Sequence, residues 1–228
     1  PSPKANAAAL PAHFLLAGDS TTAPQSSGGG GWGNGFLAYL QPPATGKNLG
    51  HNGRTTVSYR SDGYWDEVLK EAKSVAGKKQ VYVTIQFGHN DQKPDKKISI
   101  AQYGANLQKM AGEVKKAGGV PILVTPLTRR SFNGAKVKET FAEENKATVA
   151  AAEKAGAWWI DLNGASTEYV NKVGTKVNTA YALKSGDNTH VNAKGSKLFG
   201  RMVADLIVAK YPETKGFFKE DAAVSQAI

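Results

Sequence analysis

Short apolar runs alternate with longer amphipathic stretches over most of this chain. Residues 13–18 (HFLLAG) form an apolar run that opens into Gly-Asp-Ser, which predicts a buried strand feeding a loop. Six glycines fall within residues 26–35, a density that predicts a loop. Residues 35–41 then have helical spacing, with Phe36, Leu37 and Leu40 on one side and Pro42-Pro43 as a stop. Residues 46–49 predict a short strand, followed by the turn signal His51-Asn52-Gly53. Residues 65–76 predict an amphipathic helix built on Val68, Leu69, Ala72, Val75 and Ala76 and ended by Gly77. Residues 80–87 (QVYVTIQF) are β-branched and aromatic throughout and predict a central strand. Beyond them the pattern predicts helix 101–117, strand 120–125, helix 137–155, strand 157–162 and helix 166–173. The last helix is 192–210, with Leu198, Phe199, Met202, Val203, Leu206 and Ile207 inward, and the tail 211–228 shows no period beyond Phe217-Phe218.

Strand and helix thus alternate about five times, which implies right-handed crossovers and a parallel sheet covered on both faces. The 228 residues suit one domain, read as 13–228 behind a small, polar leader at 1–12. That leader (PSPKANAAALPA) lacks the basic start and apolar core of a signal peptide and is expected to remain after processing of a secreted protein. The hydrophobic fraction of 40% excludes disorder, and no apolar run approaches the ~20 residues of a membrane span. With no cysteine, disulfides, thiol catalysis and Cys-ligated metals are excluded. A net charge of +10 favours acidic partners: nucleic acid, an anionic membrane or an acidic polymer. The basic residues are scattered, without an Arg-rich helix or an aromatic RNA-binding signature, so neither nucleic acid nor membrane is expected as a partner.

In covered parallel sheets, ligands bind beyond the C-terminal strand ends. Ser20 follows the first strand, Gly53 the second and Asn90 the third, while Asp187 and His190 precede the last helix. Serine-based hydrolysis needs a hydroxyl on a tight turn, a histidine to take its proton, a carboxylate to orient that histidine, and oxyanion donors. A carboxylate three residues before a histidine can reach Nδ1 while Nε2 faces the serine. Gly53 can offer an N–H and Asn90 a side-chain NH2. No Gly-x-Ser-x-Gly elbow is present.

The blocks Gly18-Asp19-Ser20-Thr21-Thr22, Gly53-Arg54-Thr55, Gly88-His89-Asn90-Asp91 and Asp187-Asn188-Thr189-His190 stand in the order of the four blocks of the SGNH (GDSL-type) hydrolases. The sequence resembles that family over about residues 13–211. Phe87-Gly88-His89-Asn90-Asp91-Gln92 and Gly186-Asp187-Asn188-Thr189-His190 are especially similar to the fungal rhamnogalacturonan acetylesterase group. The resemblance implies a three-layer α/β/α, flavodoxin-like fold with five parallel strands. It implies Ser20 as nucleophile, His190 as general base and acid, Asp187 as orienting carboxylate, and an oxyanion hole from Ser20, Gly53 and Asn90. Related fungal enzymes carry disulfides, and this chain has none.

Other readings of the same residues weigh against these. Asp187 could cap the last helix, Asn90 could form a turn, and Gly53 could serve only a positive φ. Asp19 and His89 are read as structural, and His13 and His51 stay unassigned. Residues 28–33 fit Gly-x-Gly-x-x-Gly but lack the later acidic residue, so they are read as a flexible loop. Trp32, Arg54, Tyr64 and Gln92 are candidate substrate contacts, Lys93 is read as solvated, and Trp158-Trp159 as core. The expectation is a secreted, monomeric carbohydrate esterase without cofactor or metal. It would remove acetyl groups from an acidic plant polysaccharide, the pectic rhamnogalacturonan backbone first. Acetylxylan, a lipase or thioesterase ester, or a catalytically inactive polysaccharide-binding domain are the alternatives.

Overall fold

A computed structural model of the chain describes residues 10–228. Of the leader expected at 1–12, residues 1–9 lie outside the described residues, while Ala12 already belongs to β1 because it pairs with Gln80. Five parallel strands form the central sheet: β1 (Ala12–Gly18), β2 (Thr45–Asn48), β3 (Gln80–Gln86), β4 (Val120–Val124) and β5 (Trp158–Ile160). Their order is β2-β1-β3-β4-β5. The chain reverses its direction of growth at β1, so the crevice between β1 and β3 is the switch point at which such sheets bind ligands.

β1 reads as one apolar run because both of its faces are covered. Phe14 and Leu16 enter one core, with α1 (Gly33–Ala38), α5 (Leu162–Val173) and α6 (Ala193–Lys210). Leu15 and Ala17 enter the other, with α2 (Tyr64–Val75), α3 (Ile100–Lys116) and α4 (Ala142–Ala155). The sheet is thus the middle of three layers. Central strands buried on both faces cannot shift by a residue without exchanging the two cores, which fixes where β1 delivers Ser20.

Several boundaries differ from the sequence expectation, each for a local reason. The helix expected from 137 starts only at Ala142. The two-residue turn Gly134-Ala135, with Gly134 at φ +63, folds Phe132–Asn133 against Lys136–Val137 as a hairpin. The Glu139 carboxylate then accepts the Phe141 N–H at 2.9 Å, ahead of the helix. α5 starts four residues earlier than expected because Asp161 accepts the Gly164 N–H at 2.9 Å and caps it. Short helices at Ser58–Ser61 and Lys176–Tyr181 escape the periodicity because each is about one or two turns long. The aperiodic tail is ordered by contacts distant in sequence: Phe218 packs 5.6 Å from Phe14 and 5.4 Å from Phe36, between ring centroids. A turn of 3₁₀ helix, Pro212–Phe217, delivers it.

Candidate active site

The nucleophile turn leaves β1 over a buried polar network. Asp19 is fully buried, and its Oδ1 accepts from the Thr21 N–H and the Thr21 hydroxyl, both at 2.8 Å. The Asp19 carbonyl accepts the N–H groups of Thr22 (3.1 Å) and Ala23 (3.0 Å), closing a tight turn with Ser20 at its apex. Below it, Gln86 accepts from Trp32 Nε1 at 2.8 Å and donates to Thr21 Oγ1 at 2.8 Å. Trp32 has no exposed surface, so it braces the nucleophile turn and cannot stack on a sugar. The glycine-rich stretch is likewise not a flexible loop. Gly31 N–H donates to Ala23 O at 2.9 Å and Trp32 N–H to Thr21 O at 3.0 Å, and a Cβ on Gly31 would land on the Thr21 carbonyl. A Cβ on Gly29 would lie 2.9 Å from the Ser20 Cβ. Only glycine lets this second strand of chain lie so close to the serine.

Across the crevice, Ser20 Oγ lies 2.8 Å from His190 Nε2, and His190 Nδ1 lies 2.9 Å from Asp187 Oδ2. With the ring proton on Nδ1, the imidazole donates to the carboxylate and accepts from the serine hydroxyl. The other Asp187 oxygen, Oδ1, accepts the N–H groups of Thr189 (2.9 Å) and His190 (2.8 Å). Burial pushes the Asp187 carboxyl up, but those N–H groups and the ring outweigh it and hold the carboxyl below its ordinary range. Asp187 is not the helix cap weighed from sequence; Asn192 caps α6 by accepting the Gly195 N–H at 3.0 Å.

The two remaining motif loops are tied to each other. Asn90 Nδ2 donates one hydrogen to Arg54 O at 3.0 Å, which leaves its second N–H available. Asp91 Oδ1 accepts from Thr56 N–H (2.8 Å) and Thr56 Oγ1 (2.6 Å). Gly53 sits at φ +74, a conformation that favours glycine, and no described group accepts its N–H or that of Ser20. Lys93 is not merely solvated: its Nζ donates to Asn90 Oδ1 at 2.7 Å. Arg54 pairs with Asp62 at 3.3 Å and lies 5.3 Å from the Tyr64 ring, which stacks on His51 with centroids 3.7 Å apart. This Arg54–Tyr64–His51 group flanks Gly53. Gln92 is engaged within the protein, donating to Thr140 O (3.2 Å) and accepting from Arg129 (2.8 Å) in the amide orientation that satisfies both.

Asp19 and His89 form a second, hidden titratable pair behind the serine, 3.7 Å apart and almost unexposed. Burial pushes Asp19 up to about 7 against the pull of its Thr21 hydrogen bonds. Burial, with Arg129 and His190 adding, pushes His89 well below its ordinary range. Both are therefore driven toward their neutral forms. Sequence reasoning also missed Arg130, whose fully buried guanidinium donates to the carbonyls of Asp187 (3.1 Å), Thr189 (3.3 Å) and His190 (2.6 Å). The one sequence signal was a doubled arginine after an apolar strand, where a buried charge is rare.

Residues 16–198 match the model of the GDSL-like lipase/acylhydrolase family. The chain is 26% identical over 213 residues to rhamnogalacturonan acetylesterase RhgT of Bacillus subtilis (strain 168), covering 86% of this chain and 90% of that one. It is 28% identical over 196 residues to the uncharacterized esterase YxiM of the same organism, of which it spans 50%. The crystal structure of YxiM superposes with a TM-score of 0.78 at 27% identity, over 92% of this chain and 59% of that one. Axe2, an acetylxylan esterase from Geobacillus stearothermophilus, shares the fold at a TM-score of 0.63 and 19% identity, over 87% of this chain and 95% of that one. A three-layer sheet with a serine and a histidine meeting at its switch point, and a family match over most of its length, mean that this chain belongs to the GDSL-like lipase/acylhydrolase (SGNH) family and is a carboxylic ester hydrolase.

Proposed function

We propose that the chain is an extracellular acetylesterase of acidic plant polysaccharide, with acetylated rhamnogalacturonan as its first substrate. The observation that carries the catalytic part is the unbroken relay Ser20 Oγ–His190–Asp187, with links of 2.8 and 2.9 Å. Ser20 attacks the acetyl carbonyl while His190 takes its proton. The oxyanion is held by the N–H groups of Ser20 and Gly53 and by the second N–H of Asn90. His190 then protonates the departing sugar alkoxide. Water, activated by the same histidine, releases acetate and restores the serine. Asp187 stays ionised at acidic pH and stabilises the imidazolium that forms in each half-reaction.

The substrate part rests on two supports. Two relatives are named for rhamnogalacturonan acetylesterase activity, one of them as probable. The net charge of +10 attracts a galacturonate-bearing polymer by long-range steering that added salt screens. Arg54, beside Gly53 and shared with Asp62, offers a cation to the polymer. A polymer of that size cannot enter a cell, which supports the extracellular reading. The site is complete within one chain, so a monomer suffices.

The test is acetate release from acetylated rhamnogalacturonan and from acetylxylan, with Ser20→Ala as the blank. Faster release from the pectic polymer, lost in Ser20→Ala and slowed by salt, is expected. Preference for xylan overturns the substrate; release that survives Ser20→Ala overturns the mechanism.

A further inference from the structure

We propose that Arg130 is a positioning residue that sets the acid/base loop, residues 183–191, in the register His190 needs to serve both Ser20 and the leaving group. The proposal rests on the triad reading above. Four successive carbonyls of that loop converge on this one arginine. The guanidinium takes those of Asp187 (3.1 Å), Thr189 (3.3 Å) and His190 (2.6 Å), and the Arg130 main-chain N–H takes that of Asn188 at 2.7 Å. All three side-chain hydrogen bonds go to this loop and none to a carboxylate. The Arg130 carbonyl in turn accepts from Asn178 Nδ2 at 2.9 Å, which anchors the arginine to the short helix Lys176–Tyr181.

The loop has little else to hold it. No strand of the central sheet leads directly into it, since it joins the short helix Lys176–Tyr181 to α6. Its base is closed by the Ala182–Val191 bridge and by Leu183 N–H to His190 O at 3.1 Å. On the nucleophile side it is tied by Val191 N–H to Gly30 O at 2.8 Å, by Gln25 Nε2 to Val191 O at 3.5 Å and by the Ser20–His190 hydrogen bond itself. Four aligned carbonyls present a concentrated negative end, and a buried planar cation with several fixed donors answers it. Burial lowers the Arg130 pKa to about 10, partly offset by Asp187, so the group remains charged at neutral pH. A lysine would keep the charge but lose the fork.

The consequence is specific to the chemistry. His190 must take the Ser20 proton for any ester, but it must deliver that proton only to a poor leaving group. p-Nitrophenolate leaves unaided, whereas a sugar alkoxide does not. A loop that drifts by about 1 Å loses about 100-fold where alignment is needed. An Arg130 variant should therefore lose more on a sugar acetate than on p-nitrophenyl acetate. General loss of folded protein lowers both rates equally.

The experiment measures kcat/KM, which reports the acylation step in which the leaving group departs, for p-nitrophenyl acetate and an acetylated methyl glycoside. Rates are expressed per serine titrated by a fluorophosphonate in wild type, Arg130→Lys and Arg130→Met, with Ser20→Ala, measured per mole of protein, as the blank. For Arg130→Met the expected loss is about 100-fold on the glycoside acetate and about 10-fold on the activated ester, with Arg130→Lys intermediate on both. Equal factors on the two esters, or wild-type rates per titrated site, overturn the proposal. Should neither Arg130 variant fold, Asn178→Ala carries the same comparison of the two esters and is judged by the same rule. Hydrolysis that survives Ser20→Ala overturns the triad reading and this proposal with it; Ser20-dependent hydrolysis with equal losses overturns this proposal alone.

Discussion

The two halves of the catalytic crevice are built in opposite ways. The nucleophile half grows directly from β1, the strand shared by both cores, and its turn rests on Asp19, Thr21, Gln86 and Trp32, all buried. The acid/base half is a loop between a short helix and α6, with no strand leading directly into it, shaped by the Asp187 carboxylate from inside and Arg130 from behind. One half inherits its precision from the sheet. The other assembles its own from charged hydrogen bonds, which are strong one by one but depend on a few side chains. Packed backbone tolerates no added atoms; an ionic scaffold tolerates added atoms but not lost charges or forks.

The largest effect should come from the acid/base half. Asp187→Asn removes the carboxylate that orients His190, and kcat on p-nitrophenyl acetate should fall about 10⁴-fold with little change in the thermal midpoint. A loss below tenfold would mean that the loop orients the ring without the acid. Next, a methyl group added to each half should separate them in stability. Gly31→Ala drives a Cβ into the Thr21 carbonyl and should cost at least about 3 kcal/mol in urea unfolding. Gly186→Ala meets open space and carries only the strain of φ +77, about 1–2 kcal/mol. Equal costs would erase the contrast.

The nucleophile half hides a titration that the other lacks. Asp19 is raised to about 7 in the folded protein, from an ordinary 3.8. Between those values the folded state keeps a proton the unfolded chain has lost, so Asp19 costs stability progressively as pH rises through this window. It faces His89, Asp91 and Arg129, and its cost is complete above about pH 7. Asn at this position can accept the same Thr21 hydrogen bonds without the charge. The thermal midpoint of Asp19→Asn minus that of wild type should therefore grow from pH 4.5 to pH 8 in calorimetry; a flat or falling difference would show Asp19 ionised in its burial. The smallest effect is expected on the rim. Lys93→Met, which frees Asn90 Oδ1, should lower kcat about 3-fold, and should add nothing in an Asn90→Ala background. A full additional loss there would assign Lys93 to the substrate instead.

The contrast between the halves also explains what could be read from the chain. Strands and their order of appearance were legible because apolar runs such as HFLLAG and QVYVTIQF are local patterns. Ser20, Asn90, Asp187 and His190 were legible because strand ends and a three-residue spacing are local as well. Trp32 was misread as a sugar platform, since its neighbours in sequence are glycines; its partner Gln86 is 54 residues away. Lys93 was read as solvated and is exposed, but an exposed lysine carries no mark in sequence of its short bond to Asn90. The tail read as aperiodic because Phe218 is specified by Phe14 and Phe36, not by its own neighbours.

By itself, the sequence determined the alternation of strand and helix, the chemistry available at the strand ends and the surplus of positive charge. These follow from spacing and composition, which act over a few residues or as a sum over all. Tertiary structure alone decided that a glycine run would close against the nucleophile turn, that Asp19 would be driven neutral beside His89, and that four carbonyls of the acid/base loop would meet on Arg130. Each of these depends on burial or on convergence of distant backbone, and neither quantity exists until the chain has folded.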